Sequence, residues 1–351
     1  LGGRLGSPGR EADLRLAEPA TGLHVADDGV TVRTTTGEVR ADAAVLATGA
    51  RAVLPPAWFP ARTLHTADDA ARLRTAVHPG ARVVVVGAGW VGAEVAGVAA
   101  GAGADVTVVE ADAPLAAALT PAIGALTAGW YAAAGVRLLT GVRVVDVDEH
   151  AVTLADGRVL DADVILVAVG ARPTTDWLSG AVPLTAAGAV QVDPWYRVLG
   201  ADGPLPHVVA VGDVAMRHSP RHGWVPGGHW DGALRGPDLA VRTLLHGPDE
   251  VPQDPVPYVF STQLGHDLTL HGLPGITDDV VLRSDAQTVD DLDGTTVLWF
   301  RAGTDELTAV LTVDRPRDVA AARRLLGGPA LPRLDRAAAA DPGTRLRDAL
   351  R

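Results

Sequence analysis

A glycine-rich loop between two apolar segments constrains the fold of this chain most strongly. Residues 82–110 read RVVVVGAGWVGAEVAGVAAGAGADVTVVE. The valine run 83–86 has no polar alternation, which is typical of a parallel strand buried on both faces. Glycines follow at once in GxGxxG spacing, and the small residues and valines after them indicate a helix packed on a sheet. The segment therefore predicts a strand, a tight turn, a helix and a second strand.

The glycine spacing also has a chemical interpretation. Gly87 permits the tight turn, Gly89 lets a pyrophosphate approach the backbone, and Gly92 lets the helix lie against the strand. The second strand ends at Glu110, near the separation expected for the acid that holds the ribose hydroxyls. That carboxylate favours NAD over NADP, and an empty Rossmann-like unit is the alternative. The candidate NAD-binding residues are Gly87, Ala88, Gly89, Val91, Gly92 and Glu110.

Composition narrows the classes of function. The 351 residues carry a net charge of −12, which disfavours non-specific binding to nucleic acid or anionic membranes. No apolar run reaches the ~18 residues of a membrane helix. Cysteine is absent from the sequence, so we expect no disulfide and no thiol nucleophile within these residues. The pattern predicts a soluble, cytoplasmic chain without a nucleic-acid or membrane partner.

Two stretches of the chain resemble one another. Residues 29–51 and 151–172 each predict a hairpin with a glycine turn, followed by an apolar strand that ends in Gly-Ala-Arg. In the second copy the glycine loop precedes the closing Gly170. The same interval counted back from Gly49 falls before residue 1. We therefore expect that a further βαβ unit, from a first dinucleotide-binding domain, precedes this sequence.

The remaining segments have simpler periodicities. They predict helices over 66–76, 231–245 and 318–326, a strand over 208–211, a loop from residue 218 to 230, and antiparallel strands beyond residue 257. Three histidines in the predicted loop, His218, His222 and His229, suggest a zinc site. Because Pro220 would disrupt a helix that aligned the first two, we expect no metal there.

Seven short motifs occur in order along the chain. They are ATGAR (47–51), GAGWVGAE (87–94), VGARP (169–173), AVGDVA (210–215), HW (229–230), PYVFSTQ (257–263) and DRPRDVAAARRLL (314–326). Together they resemble the FAD-dependent pyridine nucleotide-disulphide oxidoreductases. The last three are similar to the ferredoxin reductase branch, which includes rubredoxin, putidaredoxin and biphenyl-dioxygenase ferredoxin reductases.

This resemblance implies an α/β protein with two Rossmann-like dinucleotide-binding domains and an α+β C-terminal domain. The expected division is a first part of a FAD-binding domain at 1–63, incomplete at its N-terminus, and an inserted NAD-binding domain at 64–171. The second part of the FAD-binding domain follows at 172–252. A C-terminal domain of the reductase and dimerisation type occupies 253–335, and 336–351 form a tail. A homodimer is left open.

The resemblance also implies an activity and two cofactors, FAD and NAD. NADH gives a hydride to the flavin N5, and the reduced flavin passes single electrons to a small iron–sulfur protein, a ferredoxin or rubredoxin. One alternative is another acceptor, such as a quinone, a monodehydroascorbate-like radical or a nitrite reductase partner. A second alternative is a flavin-free NAD-binding remnant without turnover.

Several residues take expected roles from the matching motifs. Asp213 follows a predicted strand end and would hydrogen-bond the ribityl chain of the flavin; its alternative is an N-cap or turn aspartate. The other cofactor-binding residues that the resemblance implies are Gly170 in the NAD cleft and Ala47, Thr48, Gly49, Arg51, Gly212, His229 and Trp230 at the FAD site.

The resemblance further implies two catalytic residues. Glu94 matches an acid beside the nicotinamide, where it would orient the carboxamide or stabilise positive charge on the ring. Its alternative is a favourable position in the first turn of a helix. Trp230 would shield the flavin or lie on the electron path, and its alternative is a core tryptophan.

Some positions concern the acceptor. Gly228, Phe260 and Thr262 depart from the Glu, Trp and Asp that are common in the family at the flavin edge and acceptor surface. Residues 315–351 hold nine arginines against four aspartates. This excess would steer an acidic ferredoxin, or it belongs to a solvated helix with arginines near its C-terminus.

Overall fold

Residues 12–285 and 291–351 are described by the structure, a computed structural model. In chain order the strands are β1 (Ala20–Ala26), β2 (Gly29–Thr34), β3 (Glu38–Ala41), β4 (Ala44–Leu46), β5 (Ala50–Ala52), β6 (Arg82–Val86), β7 (Asp105–Val109), β8 (Arg137–Leu139), β9 (Val144–Val147), β10 (Ala151–Leu154), β11 (Val159–Asp161), β12 (Val164–Val167), β13 (Ala171–Pro173), β14 (Val190–Val192), β15 (Arg197–Gly200), β16 (Gly203–Ala210), β17 (Ala215–Ser219), β18 (Gly223–Pro226), β19 (Tyr258–Gln263), β20 (His266–Gly272), β21 (Asp279–Arg283), β22 (Thr296–Phe300) and β23 (Leu307–Val313). The helices are α1 (Ala67–Ala76), α2 (Trp90–Gly101), α3 (Ala116–Leu119), α4 (Pro121–Ala125), α5 (Ala128–Ala133), α6 (Trp230–His246), α7 (Pro316–Leu326) and α8 (Arg336–Ala340). Short 3-10 helices lie at Pro56–Trp58, Asp176–Leu178, Gly212–Val214 and Leu346–Ala349.

The glycine loop belongs to a four-stranded parallel sheet of order β12-β6-β7-β8. In the centre of this sheet Val85 pairs with Val108 on one side and with Leu166 on the other. All three side chains are buried on the face that helices and the C-terminal sheet cover, and the other face packs against β9 and β10. The α2 helix begins directly after the loop. The predicted strand, turn, helix and strand are confirmed.

The two resembling stretches form the same local structure. In the first, the β2–β3 hairpin leads into β4, and in the second the β10–β11 hairpin leads into β12. Each copy then ends in a short strand, and these strands, β5 and β13, pair antiparallel with Arg51 opposite Arg172. The ends of the two copies are therefore hydrogen-bonded to each other, which connects the two dinucleotide-binding-like units.

A six-stranded sheet of order β18-β17-β14-β15-β16-β4 forms the other unit. At its edge β4 and β16 run parallel, with Leu46 opposite Ala210. The segments that follow these two strands therefore leave the sheet side by side. This edge is where an open α/β sheet binds its ligand.

The C-terminal domain is a five-stranded antiparallel sheet of order β19-β20-β23-β22-β21. One face, which includes Leu268, Trp299 and Leu311, joins the apolar core of the glycine-loop sheet. The opposite face packs against α7 and α8. Residues 336–351, which the sequence division separates as a tail, form α8 and a 3-10 helix and bury Leu346 and Ala349 against this face.

The predicted loop at 218–230 is wrong in its first half. Strands β17 and β18 form an antiparallel hairpin there, with His218 opposite Trp224. The sequence pattern misses the hairpin because Arg217 and Ser219, both polar, occupy its buried positions. By contrast, α1 and α6 lie within one residue of their predicted bounds, and α7 begins two residues early because Pro316 takes the first helical position. None of the helices in the described ranges combines the length and apolar character needed to cross a bilayer.

A buried ion-pair cluster joins this hairpin to the C-terminal domain. The carboxylate of Asp254 accepts hydrogen bonds from Arg217 Nη1 at 2.7 Å, Ser219 Oγ at 2.8 Å and Arg221 Nε at 3.0 Å. Arg221 also donates to the carbonyl oxygen of Leu326 at the end of α7. Burial disfavours the charged form of Asp254, but the hydrogen bonds and the positive charge of Arg217 hold its pKa below the ordinary value.

We expect Asp254→Asn to lower the free energy of unfolding by roughly 3–5 kcal/mol, because it leaves two buried guanidinium groups without their counter-charge. Urea unfolding measures this loss. Since the folded-state pKa of Asp254 is depressed, its contribution is present above about pH 4 and is lost as the pH falls through the folded-state pKa. The difference between the two proteins should therefore shrink in acid.

The matched control is Asp156→Asn, which breaks the solvent-exposed ion pair with Arg158. We expect a much smaller loss, because exposed pairs are screened by solvent. Equal losses for the two variants would contradict the assignment of this cluster as the junction between the domains.

Candidate functional site

The glycine loop has the geometry that close packing and an open ligand face require. Gly87 has a φ of +102°, and a Cβ atom there would lie 2.5 Å from the carbonyl oxygen of Ala168. At Gly92 a Cβ atom would lie 2.0 Å from the carbonyl oxygen of Gly87. Gly89, the N-cap residue of α2, faces open space. Gly87 thus lets the turn pack against the residue after β12, Gly92 lets α2 pack against that turn, and Gly89 leaves room at the helix N-terminus.

Glu110 lies at the mouth of this loop. Its Oε2 atom accepts a hydrogen bond of 2.7 Å from the backbone N–H of buried Ala88, and its Oε1 atom accepts one of 2.9 Å from Asp112. Each carboxylate oxygen retains a further lone pair for a ligand hydroxyl. Burial and the negative charge of Glu110 raise the pKa of Tyr131. Val91 is exposed in the first turn of α2.

Glu94 is the fifth residue of α2, just beyond the first turn in which the sequence predicts it. The helix begins at Trp90 and has no acidic residue in its first turn, so the favourable helix-end position offered as an alternative for Glu94 is not found. Its carboxylate Oε1 instead accepts a short hydrogen bond from the hydroxyl of Ser261, on β19 of the C-terminal domain. The amide Nε2 of Gln263 in turn donates to Ser261 Oγ at 3.0 Å.

A second set of candidate residues surrounds the ends of β4 and β16. The N–H of Val211 donates to the carbonyl oxygen of Leu46 at 3.0 Å, so Ala47, Thr48 and Gly49 leave the sheet beside Gly212. Thr48 Oγ1 donates to the carbonyl oxygen of Thr174 at 2.8 Å, and Gly49 has a φ of +65°.

The segment after β13 completes this edge. Arg51 forms an ion pair of 2.8 Å with Asp176, in which both side chains are largely exposed. Gly170, with a φ of +114°, accepts a hydrogen bond of 2.9 Å from the N–H of Val53. Gly170 therefore lies directly before β13, at the point where β13 pairs with β5 of the other unit.

Asp213 is held within this edge by a backbone contact. It lies in the 3-10 helix that follows β16, and its Oδ1 accepts a hydrogen bond of 3.0 Å from the N–H of Gly228. It is not the N-cap of that helix, which is Val211. A Cβ atom at Gly227 would lie 2.7 Å from Asp213 Cα, and Gly228 has a φ of +103°. A glycine at position 228 suits this backbone conformation.

The next two residues begin α6. His229 is its N-cap residue, and burial lowers the pKa of the imidazole, while the negative charge of Asp213 acts in the opposite direction. Trp230 is 75% exposed, so the alternative of a core tryptophan is wrong. Phe260, on β19, is 58% exposed. Because α6 and β19 are in contact, the exposed rings of Trp230 and Phe260 lie on neighbouring elements.

The three histidines suggested as a metal site have different surroundings. The ring of His218 lies edge-on to Trp224 with a centroid distance of 5.1 Å. Burial lowers the pKa of His222 to about 4. Within residues 12–285 and 291–351, the group of potential ligand atoms that comes together is a different one, formed by His266, Asp293 and Asp314 on a partly exposed surface.

Ser261 and Gln263 lie within the PYVFSTQ motif, but no role was expected for either residue. Their side chains are 2% and 1% exposed, whereas Phe260 and Thr262 face outward. The available signal was the strand alternation, because two polar residues at successive inward positions of a strand require buried hydrogen-bond partners. The partner, Glu94, lies far away in the sequence and only the fold identifies it.

Comparison with known proteins identifies the family to which the chain belongs. Residues 7–240 match the family described as pyridine nucleotide-disulphide oxidoreductase, and residues 258–350 match the reductase C-terminal family. The chain is 31% identical over 298 residues to the biphenyl dioxygenase system ferredoxin–NAD(+) reductase component of Paraburkholderia xenovorans, which covers 82% of this chain and 69% of that protein.

Solved structures give the same result. The crystal structure of Fdr9 superposes with a TM-score of 0.82 at 39% identity, covering 95% of this chain and 81% of that one. The covalent putidaredoxin reductase–putidaredoxin complex gives a TM-score of 0.80 at 25% identity, with coverages of 93% and 79%. With the family match extending over most of its length, the chain belongs to the pyridine nucleotide-disulphide oxidoreductase family and carries that family's reductase C-terminal domain.

Proposed function

We propose that this protein is an NADH-dependent FAD flavoprotein that passes electrons to a ferredoxin-type or rubredoxin-type iron–sulfur protein. One observation carries the proposal. The α2 helix, which follows the glycine loop, and the α6 helix, which follows Asp213, both contact β19 of the C-terminal domain. The nicotinamide end of one site and the flavin end of the other would therefore face a single junction.

The residues of the first site fit NAD. Open space at Gly89 lies at the N-terminus of α2, where backbone N–H groups and the helix dipole favour a pyrophosphate. The carboxylate of Glu110 stands at the end of β7 with spare lone pairs for ribose hydroxyls. A negative charge at this position disfavours the 2′-phosphate of NADP.

The residues of the second site fit the flavin end of FAD. Asp213 offers a carboxylate at the carboxyl edge of a parallel strand pair, beside the turn through Gly49. A carboxylate at such an edge suits the polyol hydroxyls of a ribityl chain. The exposed ring of Trp230, next to the N-cap His229, presents an apolar face at the same edge.

The mechanism that we propose assigns each residue a limited task. The two bound cofactors would supply hydride transfer from the nicotinamide to the flavin and single-electron transfer from the flavin to the acceptor. Glu94 orients the nicotinamide carboxamide, or stabilises positive charge that develops on the ring, from a position fixed by Ser261. Trp230 covers the flavin edge and excludes water. Asp213 holds the flavin in register with that edge.

The domain division remains part of the proposal. It comprises FAD-binding segments at 1–63 and 172–252, an NAD-binding domain at 64–171 and a C-terminal domain from residue 253. We extend the C-terminal domain to residue 350, because the segment after 335 packs against its sheet. A cytoplasmic location, where NADH is available, remains a prediction. A homodimer also remains a prediction.

The relatives' names support an iron–sulfur acceptor, since they describe a ferredoxin–NAD(+) reductase and a complex with putidaredoxin. Quinones, monodehydroascorbate-like radicals and nitrite reductase partners are the competing acceptors. The non-enzymatic alternative is a flavin-free protein that binds NAD without turnover. The following measurements separate them.

We expect the purified protein, supplied with FAD, to show flavin absorption bands that bleach on anaerobic addition of NADH. Bleaching requires both sites to be formed and to face each other. Saturable NADH binding without flavin bands, even with excess FAD, would instead indicate the remnant. If bleaching occurs, reoxidation by a ferredoxin, a rubredoxin or a quinone identifies the acceptor class.

We expect Glu110→Arg to weaken NADH binding by roughly 10- to 100-fold, because hydrogen bonds from the ribose hydroxyls to a charged acceptor are lost. Binding of NADPH should weaken less, or improve. Fluorescence titration of each nucleotide measures both effects. Glu149→Arg, at an exposed position of the same domain, is the charge-matched control. Unchanged NADH affinity in Glu110→Arg would remove this carboxylate from the nucleotide site.

The arginine-rich C-terminal segment is partly neutralised. Arg315, Arg336 and Arg351 form ion pairs with aspartates of the same domain. Arg323 of α7, by contrast, is exposed, and its positive charge reaches His271, as does that of Arg235 on α6. Arg235 is paired with Asp231, so Arg323 is the side chain of these two that keeps its positive charge unpaired among the described residues, on the α7 face of the sheet.

We expect Arg323→Glu to slow the reduction of an acidic ferredoxin at low ionic strength, and the difference to vanish in high salt as the charges are screened. Stopped-flow reduction measures the rate. Arg143→Glu changes the net charge equally at an exposed site in the glycine-loop unit and should have little effect. Identical slowing in both variants would argue against docking at α7.

A further inference from the structure

We propose that Ser261 and Gln263 of the C-terminal domain are positioning residues for the nicotinamide, acting through the carboxylate of Glu94. The inference rests on the proposed function, because it requires a nicotinamide beside Glu94. It assigns the C-terminal domain a part in orienting the nucleotide.

The three side chains form a directed hydrogen-bond chain. Gln263 Nε2 donates to Ser261 Oγ at 3.0 Å, so the serine oxygen acts as an acceptor toward the glutamine. Its own proton then points to Glu94 Oε1. Both donor side chains are buried, which makes an unsatisfied hydroxyl or amide costly and keeps this arrangement in place.

The chain leaves one carboxylate oxygen free. Glu94 Oε1 is occupied by Ser261, whereas among the described residues no side chain or backbone group donates to Oε2. A carboxylate fixed at one oxygen can rotate only a little. The second oxygen is therefore presented in a set direction, which suits the N–H groups of a carboxamide or the positive edge of an oxidised nicotinamide ring.

The packing of α2 against β19 supports the same assignment independently. Gly97 lies one helical turn beyond Glu94 on the same face of α2. A Cβ atom at Gly97 would lie 3.0 Å from the backbone nitrogen of Leu264, the residue that follows β19 and that adopts a φ of +52°. The helix backbone thus rests on the turn after β19, and this close contact determines the distance between Glu94 and Ser261.

A shift of the C-terminal domain would consequently change the orientation of Glu94. The domain is held in its place by the apolar face it shares with the glycine-loop sheet and by the Arg221 contact to α7. The position of one carboxylate oxygen in the nucleotide site therefore depends, through residues on β19, on where the whole C-terminal domain lies.

The test uses the full chain and two readouts. The first is NADH fluorescence in the protein without added FAD, where the anisotropy of the bound nicotinamide reports its ordering. The second is the rate of flavin bleaching at saturating NADH in the protein supplied with FAD. We expect Ser261→Ala to lower the anisotropy, to slow bleaching by about tenfold and to change the NADH dissociation constant by less than about threefold.

Three further variants separate positioning from structural damage. Ser261→Thr retains the hydroxyl and should restore most of the bleaching rate. Thr277→Ala, which removes an exposed hydroxyl elsewhere in the C-terminal domain, should behave like the original protein. In a Glu94→Gln background, Ser261→Ala should have less than about a twofold further effect, because the two residues act as one unit.

The outcomes separate the positioning role of Ser261 from the proposed function of the protein. Unchanged anisotropy and bleaching in Ser261→Ala, or a full effect that persists in the Glu94→Gln background, would overturn the positioning role. If the original protein binds NADH but its flavin does not bleach, the proposed function fails. In that case a drop in anisotropy on Ser261→Ala would still support the positioning role.

Discussion

The contact between Gly92 and the backbone of Gly87 is the constraint on which the arrangement of the site depends. With no Cβ atom in the way, the first turn of α2 lies directly on the turn that leaves β6. This contact sets the direction of the helix relative to the sheet. It also determines which face of α2 is turned toward the C-terminal domain, and hence where Glu94 and Gly97 lie.

Two interactions then hold the other parts of the molecule to this helix. The pairing of β5 with β13 joins the ends of the two resembling stretches, so the edge with Asp213 keeps its place relative to the glycine loop. The apolar face around Trp299 packs the C-terminal sheet into the same core as the strands of the loop unit. Because both contacts are buried or hydrogen-bonded along a strand, they restrict relative motion at the junction.

Much of the candidate site followed from local pattern. The glycine spacing has a direct steric meaning, so Gly87, Gly89 and Gly92 were placed correctly relative to the strand and helix. The repeat of hairpin and apolar strand was also visible, because alternation and glycine turns are short-range signals. The hairpin after Asp213 was missed, since the inward positions of β17 hold Arg217 and Ser219, which the apolar pattern cannot reveal.

Local patterns in the sequence were enough to indicate the family, the two nucleotide-binding-like units and the residues of the glycine loop. These depend on contacts between residues close together in the chain and on motifs in a recognisable order. The fold was needed to show which partner Glu94 has, that Trp230 is exposed, and how Asp254 joins two domains. The physical reason is that such hydrogen bonds and burial arise between segments far apart in sequence, and no local periodicity records which segments will meet.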